Sequence, residues 1–141
     1  MAGEKIVVDA SVIVKWFVDE EGSSDALKLR EDHIANTTTI VVPDLVFLEV
    51  LNAVRYKGAT PAKLAEVNRA LWDIQLQQEH HRSFLLEKAC TIAFERTLSL
   101  YDALYLALAQ LHGVPLVTAD SALARNTNVI LIGNSGKRTK R

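Results

Sequence analysis

Apolar runs separated by polar, turn-forming segments divide the chain into short strands and longer helices. Lys5-Ile6-Val7-Val8-Asp9 is apolar at consecutive positions, the pattern of a strand buried on both faces. A helix is expected over residues 11–18. Glu20-Glu21-Gly22-Ser23-Ser24 then reads as a loop, with Ser24 capping a second helix over residues 25–33. Thr39-Ile40-Val41-Val42 predicts a β-branched strand, and Pro43 suits the first turn of a helix over residues 44–57 that stops at Gly58. Thr60-Pro61 opens a further helix expected to reach about residue 77, and residues 78–82 are ambiguous between a loop and a poor edge strand. Two more helices are expected over residues 83–97 and 99–112. A strand over 114–118, a short helix over 121–125 and a last strand over 128–132 follow. Strands that alternate with helices in this way build an α/β fold, a three-layer α/β/α sandwich around a mostly parallel sheet. The helical middle, residues 44–97, is longer than a minimal alternating fold needs, and part of it could pack as a lid or against a second subunit.

Length changes the picture little: 141 residues suit one domain, expected over residues 1–133, with a flexible basic tail over 134–141. The formal net charge of −1 argues against a polycation that coats nucleic acid, while leaving room for a local basic patch. Lys15, Arg55, Lys57 and the tail residues Lys137, Arg138, Lys140 and Arg141 are candidates for phosphate contact, against the plainer role of solvated charge. The single cysteine, Cys90, excludes an internal disulfide and reads as a small core residue on a helix. No signal-peptide pattern and no membrane-length apolar stretch is present, so a cytoplasmic setting is expected. The histidines His33, His80, His81 and His112 lack metal-ligand spacing and read as surface residues, and no phosphate-binding glycine loop is present.

The chemistry lies in carboxylates. Ligands of an open parallel sheet collect beyond the carboxyl ends of the strands. Asp9 ends the first strand, Asp120 follows Leu116-Val117, Glu49 lies one to two turns into the helix after the second strand, and Asp102 begins a helix. If these positions meet, four like charges share one cavity. A pair at about 4 Å costs on the order of 4 kcal/mol at an effective dielectric of 20, so protons or a hard cation such as Mg²⁺ or Mn²⁺ must compensate. Each aspartate also has a plainer role as a helix cap, with Ser99-Leu100-Tyr101-Asp102 forming a capping-box pattern. Glu49 is the most telling, because on a helix it shares a face with Leu45, Val46 and Ala53, and Arg55 and Lys57 are out of pairing register. A buried carboxylate needs a metal or a partner from elsewhere in the fold.

Val7-Val8-Asp9-Ala10-Ser11-Val12, Leu48-Glu49-Val50-Leu51-Asn52-Ala53, residues 98–109 around Tyr101-Asp102-Ala103, and Leu116-Val117-Thr118-Ala119-Asp120 occur in this order across nearly the whole chain. Together they resemble the PIN-domain family, in particular the VapC toxins of VapBC toxin–antitoxin pairs. That resemblance implies a Mg²⁺- or Mn²⁺-dependent endoribonuclease. It places Asp9, Glu49, Asp102 and Asp120 at the metal-binding acidic positions, and Ser11 and Thr118 at accessory polar positions. It also implies an RNA substrate, a homodimer and a VapB-like antitoxin partner. Rival readings are an acid-cluster phosphatase, disfavoured because Ser11 stands where a second aspartate would be expected, and a receiver-like signalling domain, which would want adjacent acids after the first strand. A third is a non-catalytic PIN-like module that binds RNA or an antitoxin.

Overall fold

The first strand, β1 (Glu4–Val8), lies at the centre of a parallel sheet whose strand order is β3-β2-β1-β4-β5. A computed structural model describes residues 3–133. Among these the other strands are β2 (Thr38–Pro43), β3 (Gln77–Glu79), β4 (Leu116–Thr118) and β5 (Val129–Leu131). The register is set by Val7 opposite Val41 on one side and Leu116 on the other, and Thr118 opposite Leu131. Successive strand residues point to opposite faces. Ile6, Val7 and Val8 are all buried, as are Ile40, Val41 and Val42, so both faces of the central strands are covered and the fold is an α/β/α sandwich. The expected tail, residues 134–141, lies outside the described residues.

Six α-helices among the described residues fill the outer layers: α1 (Ala10–Ile13), α2 (Ser23–Ile34), α3 (Leu45–Tyr56), α4 (Pro61–Asp73), α5 (Ser83–Arg96) and α6 (Leu100–His112). Helix α6 is the most buried, with every residue from Ala103 to Ala109 inaccessible. It packs against β1, β2 and β4, and α5 lies along it. Its start is fixed by Ser99, whose hydroxyl accepts the Asp102 N–H at 3.0 Å, and its end by Gly113 at φ 67°. None of the helices is long and apolar enough to cross a membrane.

Several expectations shift for local reasons. Pro43 ends β2 instead of opening α3, since a strand's last residue can dispense with its N–H. Helix α4 stops at Asp73, four residues early; Gln75 turns left-handed (φ 58°), and Gln77–Glu79 is a strand paired to β2. Ser24 is not the cap of α2, which begins at Ser23 after Gly22 at φ 88°. There Ser23 Oγ accepts the Glu20 N–H and donates to the Val18 carbonyl. Only the 3₁₀ turn Leu123–Arg125 replaces the helix expected over 121–125.

Cys90 is exposed, a correction with a simple cause: the inward face of α5 is Leu85, Ala89 and Ile92, and one residue beyond Ala89 rotates away from it by about 100°. Of the histidines, His80 and His81 are exposed as expected. His33 and His112 are half-buried connectors instead. His33 accepts the Ile40 N–H at Nδ1 and holds the Gln75 carbonyl through Nε2, and His112 meets Glu79 at 3.2 Å.

Candidate active site

Three strands deliver chemistry to one edge. β1 ends at Val8, and Asp9 keeps its backbone in the sheet through an N–H bond to the Val117 carbonyl at 3.2 Å. The next residues turn at once into α1, so the Asp9 side chain points past the end of the strand with only 6% of its surface exposed. Ser11 Oγ donates to Asp9 Oδ1 and Thr118 Oγ1 donates to Oδ2, each at 2.6 Å. The hydroxyls are themselves held: Ser11 Oγ accepts the Ala119 N–H at 2.9 Å, and Thr118 Oγ1 accepts the Asp120 N–H at 3.0 Å. The carboxylate is therefore clamped in one orientation by residues 2 and 109 positions away in sequence. Burial raises its pKa from the ordinary 3.8 to about 6, against the pull of the Ser11 and Thr118 bonds, and the negative charge of Asp102 adds to the rise.

The other acids gather around Asp102. Asp102 lies in the first turn of α6; burial raises its pKa, and the charge of Asp120 raises it further. Glu49, on α3, is raised by burial, is pulled down by a hydrogen bond from Tyr105, and also feels the charge of Asp102. Asp120 does not cap a helix, since only the 3₁₀ turn follows; its Oδ1 accepts the Ala122 N–H at 2.9 Å in a local turn, while its charge still reaches Asp102. Among the described residues none of the four forms an ion pair with lysine, arginine or histidine. The fold thus brings Asp9, Glu49, Asp102 and Asp120 into one anionic field. No group of three or more histidine, cysteine or acidic side chains among the described residues stands close enough to wrap an ion directly. Mg²⁺ characteristically keeps several waters and takes one or two carboxylates, so carboxylates that share a field without closing round an ion suit a hydrated cation.

The PIN domain family profile matches residues 6–129. The chain belongs to the PIN-domain family. Among curated relatives this PIN domain is 32% identical over 126 residues to Ribonuclease VapC3 of Pyrobaculum aerophilum, covering 85% of this chain and 92% of the relative. Among solved structures it is similar to Mycobacterium tuberculosis VapC20, a sarcin–ricin loop cleaving toxin, with a TM-score of 0.72 and 16% identity over 90% of this chain and 98% of that one. It is similar also to a toxin–antitoxin complex from Klebsiella pneumoniae, with a TM-score of 0.69 and 20% identity over 89% of this chain and 95% of the other. These two structural likenesses speak to the fold.

The PIN domain also holds a site residue that sequence reasoning missed. Tyr105, one turn beyond Asp102 on α6, is 2% exposed, and its hydroxyl donates to Glu49 Oε1 at 2.6 Å. This is the partner from elsewhere that the apolar face around Glu49 required. A tyrosine among Ala103-Leu104 and Leu106-Ala107-Leu108 looks like core, and the signal available was that its hydroxyl must find an acceptor. The burial of Tyr105, followed by the charge of Glu49, raises its pKa well above the ordinary 10.0, so it stays a donor. Lys15 is a correction of the opposite kind. It is buried, with Nζ on Glu20 Oε2 at 3.1 Å and on the Glu21 carbonyl at 2.7 Å, and it is committed to the fold instead of to a phosphate. Lys57 meets the same Glu20 at 3.2 Å, and the two lysines hold the Glu20 carboxyl below its usual range despite its partial burial.

Proposed function

We propose that this PIN domain is a divalent-metal-dependent endoribonuclease and the toxin of a toxin–antitoxin pair. One observation carries the metal-dependent part: a buried, doubly hydrogen-bonded aspartate that feels the charge of Asp102 and has no cationic partner among the described residues. Asp9, Glu49, Asp102 and Asp120 are the residues that would hold Mg²⁺ or Mn²⁺. When bound, such an ion polarises a phosphodiester and lowers the pKa of an attacking water. The rest is done by the chain. Ser11 and Thr118 fix the plane of the Asp9 carboxylate, so no reorganisation is needed when a ligand arrives. Tyr105 fixes Glu49 through its hydroxyl, and the Ser99 cap sets the first turn of α6 that carries Asp102.

The choice of RNA and of an antitoxin partner rests on the VapC relative and on the order of the motifs. Self-association belongs to the same proposal, with Phe84 (63% exposed) and Phe94 (90%) on α5 as the apolar face; sedimentation equilibrium at micromolar concentration tests it. For activity, purified protein should cleave RNA in Mn²⁺ or Mg²⁺, and EDTA should stop it. Asp9→Asn should abolish cleavage while leaving the circular dichroism spectrum unchanged. Cleavage by Asp9→Asn at the wild-type rate would show that the acidic cluster is not the active centre.

A further inference from the structure

Beside the acidic cluster lies a cleft of about 310 Å³ lined by Leu45, Leu48, Glu49, Asn52 and Tyr101. The first four recur at i, i+3, i+4 and i+7 and form one continuous stripe of α3. Tyr101 faces them from the start of α6. The walls are apolar yet left in water: Leu48 is 70% and Tyr101 61% exposed. Glu49 carries the one carboxylate of the lining and belongs to the acidic cluster as well, and Tyr101 is the immediate neighbour of Asp102.

We infer that this cleft seats the nucleobase of the nucleotide adjoining the cleaved phosphate, with Tyr101 as the stacking platform and Asn52 as the reader of the base edge. The inference rests on the ribonuclease reading above and adds a recognition site to it. Three features of the lining favour a base. The cleft shares Glu49 with the acidic cluster, so a group in it sits one nucleotide's reach from a phosphodiester held there. An exposed aromatic ring beside aliphatic side chains accepts the flat face of any base. The Asn52 amide supplies one acceptor and two donors, the groups that discriminate between the edges of unpaired bases. A phosphate would be repelled by Glu49, as would an acidic peptide.

The test measures RNA binding and RNA cleavage separately. Binding is read by fluorescence anisotropy of a labelled single-stranded RNA on Asp9→Asn protein, which is expected to bind without cutting. Cleavage is read by Mn²⁺-dependent product mapping on protein with an intact acidic cluster. Tyr101→Ala should weaken binding by about 5- to 100-fold, the usual cost of losing one stacked base. It should raise KM correspondingly while kcat changes less than about twofold. Tyr101→Phe, which keeps the ring, should restore affinity, and Asn52→Ala should redistribute cleavage among sequence positions. Because Tyr101 is exposed, the unfolding midpoint of Tyr101→Ala should match that of its parent. If Tyr101→Ala and Leu48→Ser both bind and cut as their parents do, the inference is overturned, the ribonuclease reading stands, and a protein partner is left as the occupant. If the unsubstituted chain neither binds nor cuts RNA, both fail together.

Discussion

Asp9→Asn offers a measurement of how much stability the fold surrenders to keep a charge at its centre. The rise from 3.8 to about 6 means that the folded protein holds the Asp9 proton more tightly than the unfolded chain does. Below about pH 4 both states are protonated and nothing is lost. Between about pH 4 and pH 6 the unfolded chain has released a proton that the folded state retains, so stability falls as pH rises through this window and levels off above it. At about 1.4 kcal/mol per tenfold change in proton affinity, the full penalty at neutral pH is roughly 3 kcal/mol. It already nets the burial of the carboxylate against the Ser11 and Thr118 bonds. Asparagine has the shape of the protonated acid and, like it, presents an acceptor on one side and a donor on the other, with one N–H more than the acid has. Asp9→Asn should therefore be more stable than wild type by about 1–3 kcal/mol at about pH 7.5 and nearly equal to it at about pH 4, in urea unfolding with EDTA present. Comparing the two proteins at each pH cancels carboxylates that do not feel Asp9, Glu49 among them, while the coupling between Asp9 and Asp102 stays within the measured difference. A variant no more stable than wild type at neutral pH, or one with the same advantage at both pH values, refutes the assignment of a buried, electrostatically strained Asp9.

Tyr105→Phe removes the hydroxyl on Glu49 Oε1 while keeping the ring in the core. The Mn²⁺ concentration that gives half-maximal thermal stabilisation should rise about 10-fold or more, the usual cost of losing a group that orients a metal ligand; an unchanged concentration dependence would show that the bond does no positioning. Gly22→Ala should destabilise the fold by more than about 1 kcal/mol, because Gly22 has φ 88° and an added Cβ would sit 2.4 Å from the Gly133 Cα. Thermal unfolding checks this, and a neutral effect would mean that the loop and the chain after β5 separate freely.

The central parts of this fold were legible because burial on both faces leaves an unmistakable mark. Consecutive apolar residues in β1 and β2 named the strands, and the shift to an acid immediately after Val8 marked the carboxyl end of β1. The acidic residues were found because each one breaks an apolar context, Glu49 above all. What stayed hidden was pairing over distance. The sequence Gln77-Gln78-Glu79 has no strand character of its own and becomes β3 only because β2 offers an edge at that register. Tyr105 was overlooked and Cys90 misjudged for the same reason: periodicity gives the spacing of side chains around a helix axis but not the rotation of that axis against its neighbours. Lys15 looked available because its burial depends on Glu20 and Glu21 folding back over it.

The central place of β1 has a consequence for the making of the protein. Asp9 is synthesised together with one of the two hydroxyls that clamp it, that of Ser11, but the other comes from Thr118, 109 residues later. The strand carrying Thr118 pairs directly with β1. Chain entropy makes such long closures slow. A nascent chain that stops short of β4 contains Asp9 and Glu49 but lacks Thr118 and Asp120. The Asp9 clamp is therefore complete only once β4 has been made and has docked beside β1.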